Sequence, residues 1–251
     1  MSLILVAVVF LGAGVFGMLG LSGAVVYVPL LSWWGFDFKT GAIPLSLLLG
    51  SATALSATVV YLRAGLVHVR TSGAIILTAV LGAPLGARAI RIVPTHTLKL
   101  LFATVVVFVA YRILRSKEPE TGRPVKIEIA TIAGLGLGLI VGFASGLLGV
   151  GGGFIMLPTL MHLGFPTKEA VATSSAVVGF STLSGFLSHL PTAEFDPLLA
   201  TILTVSVIVG SGLGGFWASK VAKPLTLRLM AGTLLAVIAV RLLMEALAHI
   251  F

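Results

Sequence analysis

Two stretches decide the fold: GMLGLSGAVVYVPL at 17–30 and GLLGVGGGFIMLPT at 146–159. Each is a glycine cluster followed by a short apolar run carrying a proline. Sliding the chain by 129 residues (146 − 17) pairs Gly17–Thr53 with Gly146–Thr182 without a gap. About a dozen of some 37 positions agree, where two apolar segments share roughly four by composition alone. Among them are Gly20 with Gly149, Gly23 with Gly152, Pro29 with Pro158, Gly35-Phe36 with Gly164-Phe165, Lys39 with Lys168, Ser46 with Ser175, Gly50 with Gly179 and Thr53 with Thr182. A one-residue gap then pairs Gly82 and Gly86 with Gly210 and Gly214, and the first offset returns at Arg112 and Arg241. The chain reads as an internal duplication.

Outward from these stretches, apolar segments about 20 residues long recur, long enough to cross a bilayer as helices. The expected spans are roughly 3–19, 40–62, 71–92, 97–115, 128–148, 168–190, 197–219 and 226–248. Two shorter apolar pieces, 24–34 and 153–163, follow spans one and five. The reading is an all-α integral membrane protein: two homologous repeats with broken helices, about eight spans plus two half-helices. Residues 1–115 form the first repeat, 116–127 a polar linker and 128–251 the second. The linker carries Lys117, Glu118, Pro119, Glu120, Gly122, Arg123 and Pro124.

Composition agrees. The chain is 58% hydrophobic and 10% charged, against roughly 25% charged in soluble domains. A net charge of +8 reflects loop Lys and Arg rather than a nucleic-acid surface, since no basic run is interleaved with stacking aromatics. With no cysteine, disulfides and thiolate metal sites are excluded, and neither metal nor cofactor is expected. Met1–Gly20 has no Lys or Arg ahead of its apolar run and reads as a first span rather than a signal peptide.

A glycine cluster inside an apolar chain predicts an unwound break. In lipid, such backbone is tolerated only where it is buried in protein or lines a cavity. Paired interruptions at matched positions point to a transporter's binding site. Each break starts a new helix, whose free N–H groups carry partial positive charge. Two such starts, near Ala24 and Gly153, suit one anion without a buried Arg. The expected substrate-binding residues are therefore Gly20, Ser22, Gly23 and Ala24 in the first break and Gly149, Gly151, Gly152 and Gly153 in the second. The hydroxyls of Ser46, Thr173, Ser174 and Ser175 join them as donors to anion oxygens. The competing reading is a hydroxyl bonded to its own helix backbone, favoured for Thr53 and Thr182. Gly82/Gly86 reads as close helix packing.

Arg63, Arg88, Arg91 and Lys220 fall at span ends and read as interfacial. His162 and His189 also fall at span ends and read as interfacial, although a histidine there could titrate in a coupling step. No carboxylate stands mid-span, so no proton relay is legible. Lys and Arg divide evenly between the two sides. The basic loop 63–70 and its acidic counterpart 189–196 hint at oppositely oriented halves, which requires an odd number of crossings per half.

Two rivals stand beside a carrier. Gly20-Leu21-Ser22-Gly23 has the Gly-x-Ser-Gly pattern of rhomboid-like intramembrane serine proteases, but Ser22 aligns with Gly151 and so fills a glycine slot. An anion channel of the same architecture is the nearer alternative.

The run Gly146-Leu147-Leu148-Gly149-Val150-Gly151-Gly152-Gly153, with Pro158, Gly164, Lys168-Glu169-Ala170 and Ala172-Thr173-Ser174, resembles the TauE/SafE sulfite-exporter family. The first copy is looser, with Ser22 and Ala24 in place of glycines and Ile43-Pro44-Leu45-Ser46 opposite Ala172–Ser175. The resemblance covers essentially the whole chain. It implies a multi-pass transporter of the inner membrane that exports sulfite, sulfoacetate or related organosulfonates, the small sulfur-containing anion being its partner beside the lipid bilayer. A homodimer is expected on class grounds only. An enzyme is not expected.

Overall fold

A computed structural model describes residues 2–115 and 127–220, with helical backbone at Thr233, Ala236, Val237 and Val240. Residues 116–126 of the expected linker 116–127 and most of the expected span 226–248 lie outside the described residues, and Ile127 begins α6.

Every regular element among the described residues is helical. In order they are α1 (Ser2–Leu19), α2 (Ala24–Trp33), α3 (Ile43–Arg63), α4 (Val69–Ala89), α5 (Thr95–Arg115), α6 (Ile127–Leu148), α7 (Gly153–His162), α8 (Thr167–His189) and α9 (Pro197–Lys220). A wide π turn, Phe38–Ala42, leads into α3, and a single 3₁₀ turn, Leu190–Thr192, ends α8. Asp37 caps the π turn, accepting from the amides of Thr40 and Lys39, each at 2.9 Å. The Thr40 amide, followed by the other donors, holds the Asp37 carboxyl below the usual carboxylate range.

Four segments are long and apolar enough to cross a membrane: Phe38–Arg63, Val69–Ala89, Thr167–Thr192 and Pro197–Lys220. Their most apolar windows are 67% buried for the α3 and α8 segments but only 39% for α4 and α9. The first two are therefore inner helices. The outer two turn leucine, isoleucine and valine outward, as at Leu77, Leu81, Leu85, Ile202, Val205 and Leu213. A surface this apolar suits lipid and would be a liability in water.

Small residues set how the helices pair. Along α6, Gly138, Gly142 and Gly146 recur every fourth residue, and a Cβ on any of them would strike Ile75, Ala79 or Ala83 of α4. From the other side, Gly82 and Gly86 meet the backbone of Leu139 and Phe143. Residue numbers rise together along both helices, so α4 and α6 run parallel. The same device joins α1 to α9. Gly210 meets Phe10, Gly214 meets Gly14, and Ser206 donates to the Val6 carbonyl, so this pair is also parallel. Small residues let backbones close up where no hydrophobic drive exists between helices. The inner pair differs. Gly179 meets Leu55 and Gly185 meets Leu47, so α3 and α8 run antiparallel. Each inner helix also packs on an outer one, α3 on α9 and α8 on α4.

The half-helices do not continue the helices before them. Tyr27 of α2 reaches Gly12 of α1, and Leu30 and Leu31 share a core with Leu5 and Val9. So α2 folds back along α1. In the same way Met156 and Leu160 of α7 share a core with Val141 of α6. Each break is a re-entrant turn.

Candidate substrate site between two helix breaks

Each turn is made by left-handed glycines. In the first, Gly20 and Gly23 both have φ near 68°; in the second, Gly149 has 70°, Gly151 82° and Gly152 64°. Gly23 and Gly152 stand as the last residues before α2 and α7. A left-handed residue with a Cβ costs about 1–2 kcal/mol, which explains glycine at these slots. Space is a second reason. A Cβ on Gly20 would strike the Val171 carbonyl of α8, and one on Gly152 would strike Val141.

The two breaks meet each other. Ser22 donates to the Val150 carbonyl at 3.3 Å, across 128 residues of sequence. Its oxygen also accepts from the Ala24 amide at 3.3 Å, satisfying one of the free donors that begin α2. Where the first break has Ser22 the second has Gly151, whose absent side chain makes room for the Ser22 hydroxyl. Gly153 lies against Leu21 and Val178. Neither bond of Ser22 is to a histidine.

The contact falls beside the middle of the two inner helices. Gly50 of α3 abuts Ser22 and Ala24, and Thr182 of α8 abuts Gly151. All residues from Gly20 to Ala24 and from Gly149 to Gly153 are buried. The amides of Gly153 and Phe154 have no carbonyl behind them within α7, so the junction gathers partial positive charge from two helix starts.

The four expected hydroxyls divide. Ser46 donates to the Ile43 carbonyl at 2.9 Å and Ser175 to Val171 at 3.0 Å. Both bond within their own helix, as do Thr53, to Leu49, and Thr182, to Val178. Thr173 points the other way, because consecutive helical residues are turned 100° apart. It accepts from the His68 amide at 3.2 Å, fastening the loop after α3 to α8. Ser174 is wholly buried and its hydroxyl has no hydrogen-bond partner. It stands on the helical face that carries Val171 and Val178, which touch Gly20 and Gly153 respectively.

Two features escaped the sequence. Ser145, one turn before Gly149, also buries an unpartnered hydroxyl. The repeat hides it, since Phe16 occupies the matching slot. His189, expected at the interface, is instead 2% exposed. Its Nε2 is 2.7 Å from the Gly146 carbonyl, which the end of α6 leaves without a helical partner. A helix-end position does not reveal in sequence whether a neighbouring turn covers the ring.

The repeated lysines have a structural use. Lys39 Nζ donates to the Val93 carbonyl at 2.7 Å, just past α4, and Lys168 Nζ to the Ser219 carbonyl at 3.4 Å, near the end of α9. Cations at helix C-termini answer the exposed carbonyls there.

An all-helical body with an apolar exterior and buried, discontinuous helices meeting at its middle is the form of a membrane transporter. The comparisons agree: residues 5–242 match the family model "Sulfite exporter TauE/SafE", and the chain belongs to that family. It is 28% identical over 239 residues to a probable membrane transporter protein, YunE, of Bacillus subtilis, covering 85% of this chain and 88% of that one. It is 27% identical over 253 residues to a probable membrane transporter protein of Methanocaldococcus jannaschii, covering 92% and 91%. A shorter match, 31% over 85 residues, joins it to sulfite exporter TauE/SafE family protein 6 of Arabidopsis thaliana, covering 34% of this chain and 20% of that one. No solved structure matches the chain.

Proposed function

We propose that the protein is a secondary transporter that exports a small sulfur-containing anion, such as sulfite or sulfoacetate, across the inner membrane. The anion binds between the two breaks. The observation that carries this reading is the contact of Ser22 with Val150, which joins two helix starts at one buried point. Backbone amides and helix dipoles there suit an anion of any composition; sulfur is supported by the family alone. Ser174 supplies an unpartnered hydroxyl nearby.

On this reading residues 1–115 and 128–251 are inverted repeats joined by the linker 116–127, and the returns of α2 and α7 count as crossings, so that each half crosses an odd number of times. The support is that the helix packing survives exchange of the halves. The pair α1 with α9 becomes α6 with α4, and α3 with α8 becomes itself, antiparallel. Equivalent helices pack antiparallel only if the halves are inverted.

A channel of this architecture is the second reading. Burial of both breaks at once favours a carrier, since alternating access passes through such a closed state. Thermal denaturation of the purified protein with sulfite, sulfoacetate, taurine, sulfate and acetate tests the ligand class. Binding to the native state raises the melting temperature. A rise with sulfite or sulfonates and none with acetate is expected; equal response to all five compounds would overturn the assignment.

A further inference from the structure

Both re-entrant turns leave carbonyls open at the end of the helix before them, and each is answered by one ring from the following long helix. In the first half Tyr61 Oη donates to the Gly17 carbonyl at 3.0 Å and lies 3.1 Å from that of Met18. In the second, His189 Nε2 meets the Gly146 carbonyl at 2.7 Å. Gly17 and Gly146 are matched positions of the duplication. Tyr61 and His189 thus do one task, but a phenol keeps its proton at every physiological pH and an imidazole does not. Among the described side chains His189 is the only Asp, Glu, Lys, Arg or His that is buried. A buried ionisable group within a membrane-crossing segment is costly, and such groups as a rule serve function.

We propose that His189 is a proton-binding site that couples opening of the second re-entrant turn to pH, with Tyr61 as its non-titrating counterpart at the first. The neutral ring donates through Nε2 to Gly146, leaving Nδ1 without a proton. Protonation at Nδ1, from water, adds a second donor and a full positive charge where only a carbonyl was being satisfied. That state requires water or an anion beside it, so it favours a turn that has opened. Because α3 and α8 run antiparallel, the two turns reach their junction from opposite ends of the bundle: Gly20 is beside Val171, early in α8, and Gly149 beside Ile43, at the start of α3. One end therefore responds to pH and the other does not. The charges around the ring are Arg91, past the end of α4, whose field reaches it, and Arg88 in the last turn of α4. Asp37 and Lys39 stand before α3, and Glu194 and Asp196 follow α8. The described side chains of α6 and α7 include no ionisable group.

The site rests on the proposed function only in treating the turn as part of the transport path, so the test has two arms. In the first, without any anion, hydrogen exchange of segments 16–24 and 145–153 is followed in liposomes from pH 8 to 5.5, corrected for intrinsic rates. The wild type should lose protection at 145–153 on acidification and not at 16–24. His189→Gln and His189→Tyr, which both keep a donor towards Gly146, should be flat at both segments. A flat wild type, or variants that still respond, would overturn the proposal. In the second arm, sulfoacetate affinity is compared at pH 6 and pH 8. Linkage requires tighter binding at pH 6 in the wild type, by about fivefold or more, and none of that difference in either variant. Sulfoacetate bound equally at both pH values by the wild type removes the coupling and leaves the anion reading intact. A pH-dependent turn that binds no sulfonate keeps the proton site and removes the sulfonate.

Discussion

At the scale of single residues, the junction rests on two serines with opposite energetic roles. Ser22 is bonded on both sides, to Val150 and Ala24, whereas Ser174 is buried with no partner. Removing a satisfied buried hydrogen bond costs about 1 kcal/mol, while removing an unsatisfied hydroxyl costs little or is favourable. Ser22→Ala should therefore lower the melting temperature, and Ser174→Ala should leave it unchanged or raise it. If Ser174 contacts the anion, the same variant should weaken binding about fivefold, the equivalent of roughly 1 kcal/mol. Melting curves and binding isotherms read the two effects separately, and a Ser174→Ala variant with unaltered affinity removes that residue from the site. Sequence marked both serines but could not rank them. Residues 173–175 are consecutive and equally buried, and only their hydrogen bonds show that Thr173 serves a loop, Ser175 its own helix and Ser174 nothing inside the protein.

At the scale of elements, glycines that look alike in sequence do different work. Gly73 and Gly86 both lie within α4. Gly73 has open space around it, whereas a Cβ on Gly86 would strike the Phe143 carbonyl of α6. Gly73→Ala should stabilise by up to about 1 kcal/mol, the ordinary helix preference for alanine. Gly86→Ala should destabilise, because a backbone carbonyl cannot rotate aside and overpacking costs about 1–3 kcal/mol. Melting temperatures that move the same way for both would contradict the packing at α4 and α6. The helices themselves were readable. Expected segments 3–19, 24–34 and 153–163 correspond to α1, α2 and α7 within one or two residues. Apolar length and glycine punctuation act locally and so survive in sequence. The return of α2 and α7 along their predecessors was not readable, since a break states only that a helix stops. Its direction afterwards depends on Tyr27 and Met156 finding partners on α1 and α6.

At the scale of the whole molecule, loop chemistry follows from the proposed inversion. The loop after α3 reaches the start of α8 through His68, which pairs with Glu169 and packs edge-on against Phe165. The loop after α8 reaches the start of α3, where the Glu194 amide donates to the Thr40 carbonyl at 2.8 Å. These loops lie towards opposite ends of the bundle. The chain has no cysteine, so Gly65→Cys and Ala193→Cys are clean single reporters. An impermeant maleimide applied to intact cells should label one, and the other only after the membrane is opened. Labelling of both from one side would leave the inverted arrangement untenable. The sequence reads as a duplication without showing a direction, because basic residues divide evenly between the sides; the antiparallel pairing of α3 with α8 is what supports the proposed inversion.

If the two breaks act as one anion site in a carrier, the site exchanges its anion between the two sides of the membrane. Counterflow in proteoliposomes tests it most directly, using vesicles preloaded with unlabelled sulfoacetate and a trace of labelled sulfoacetate outside. Transient uptake of label above equilibrium is expected. Excess sulfite should abolish it, acetate should leave it untouched, and Gly151→Val should lose it, because that side chain would be driven into Ser22. Full counterflow in Gly151→Val, confirmed as folded by its melting curve, would contradict a site between the breaks.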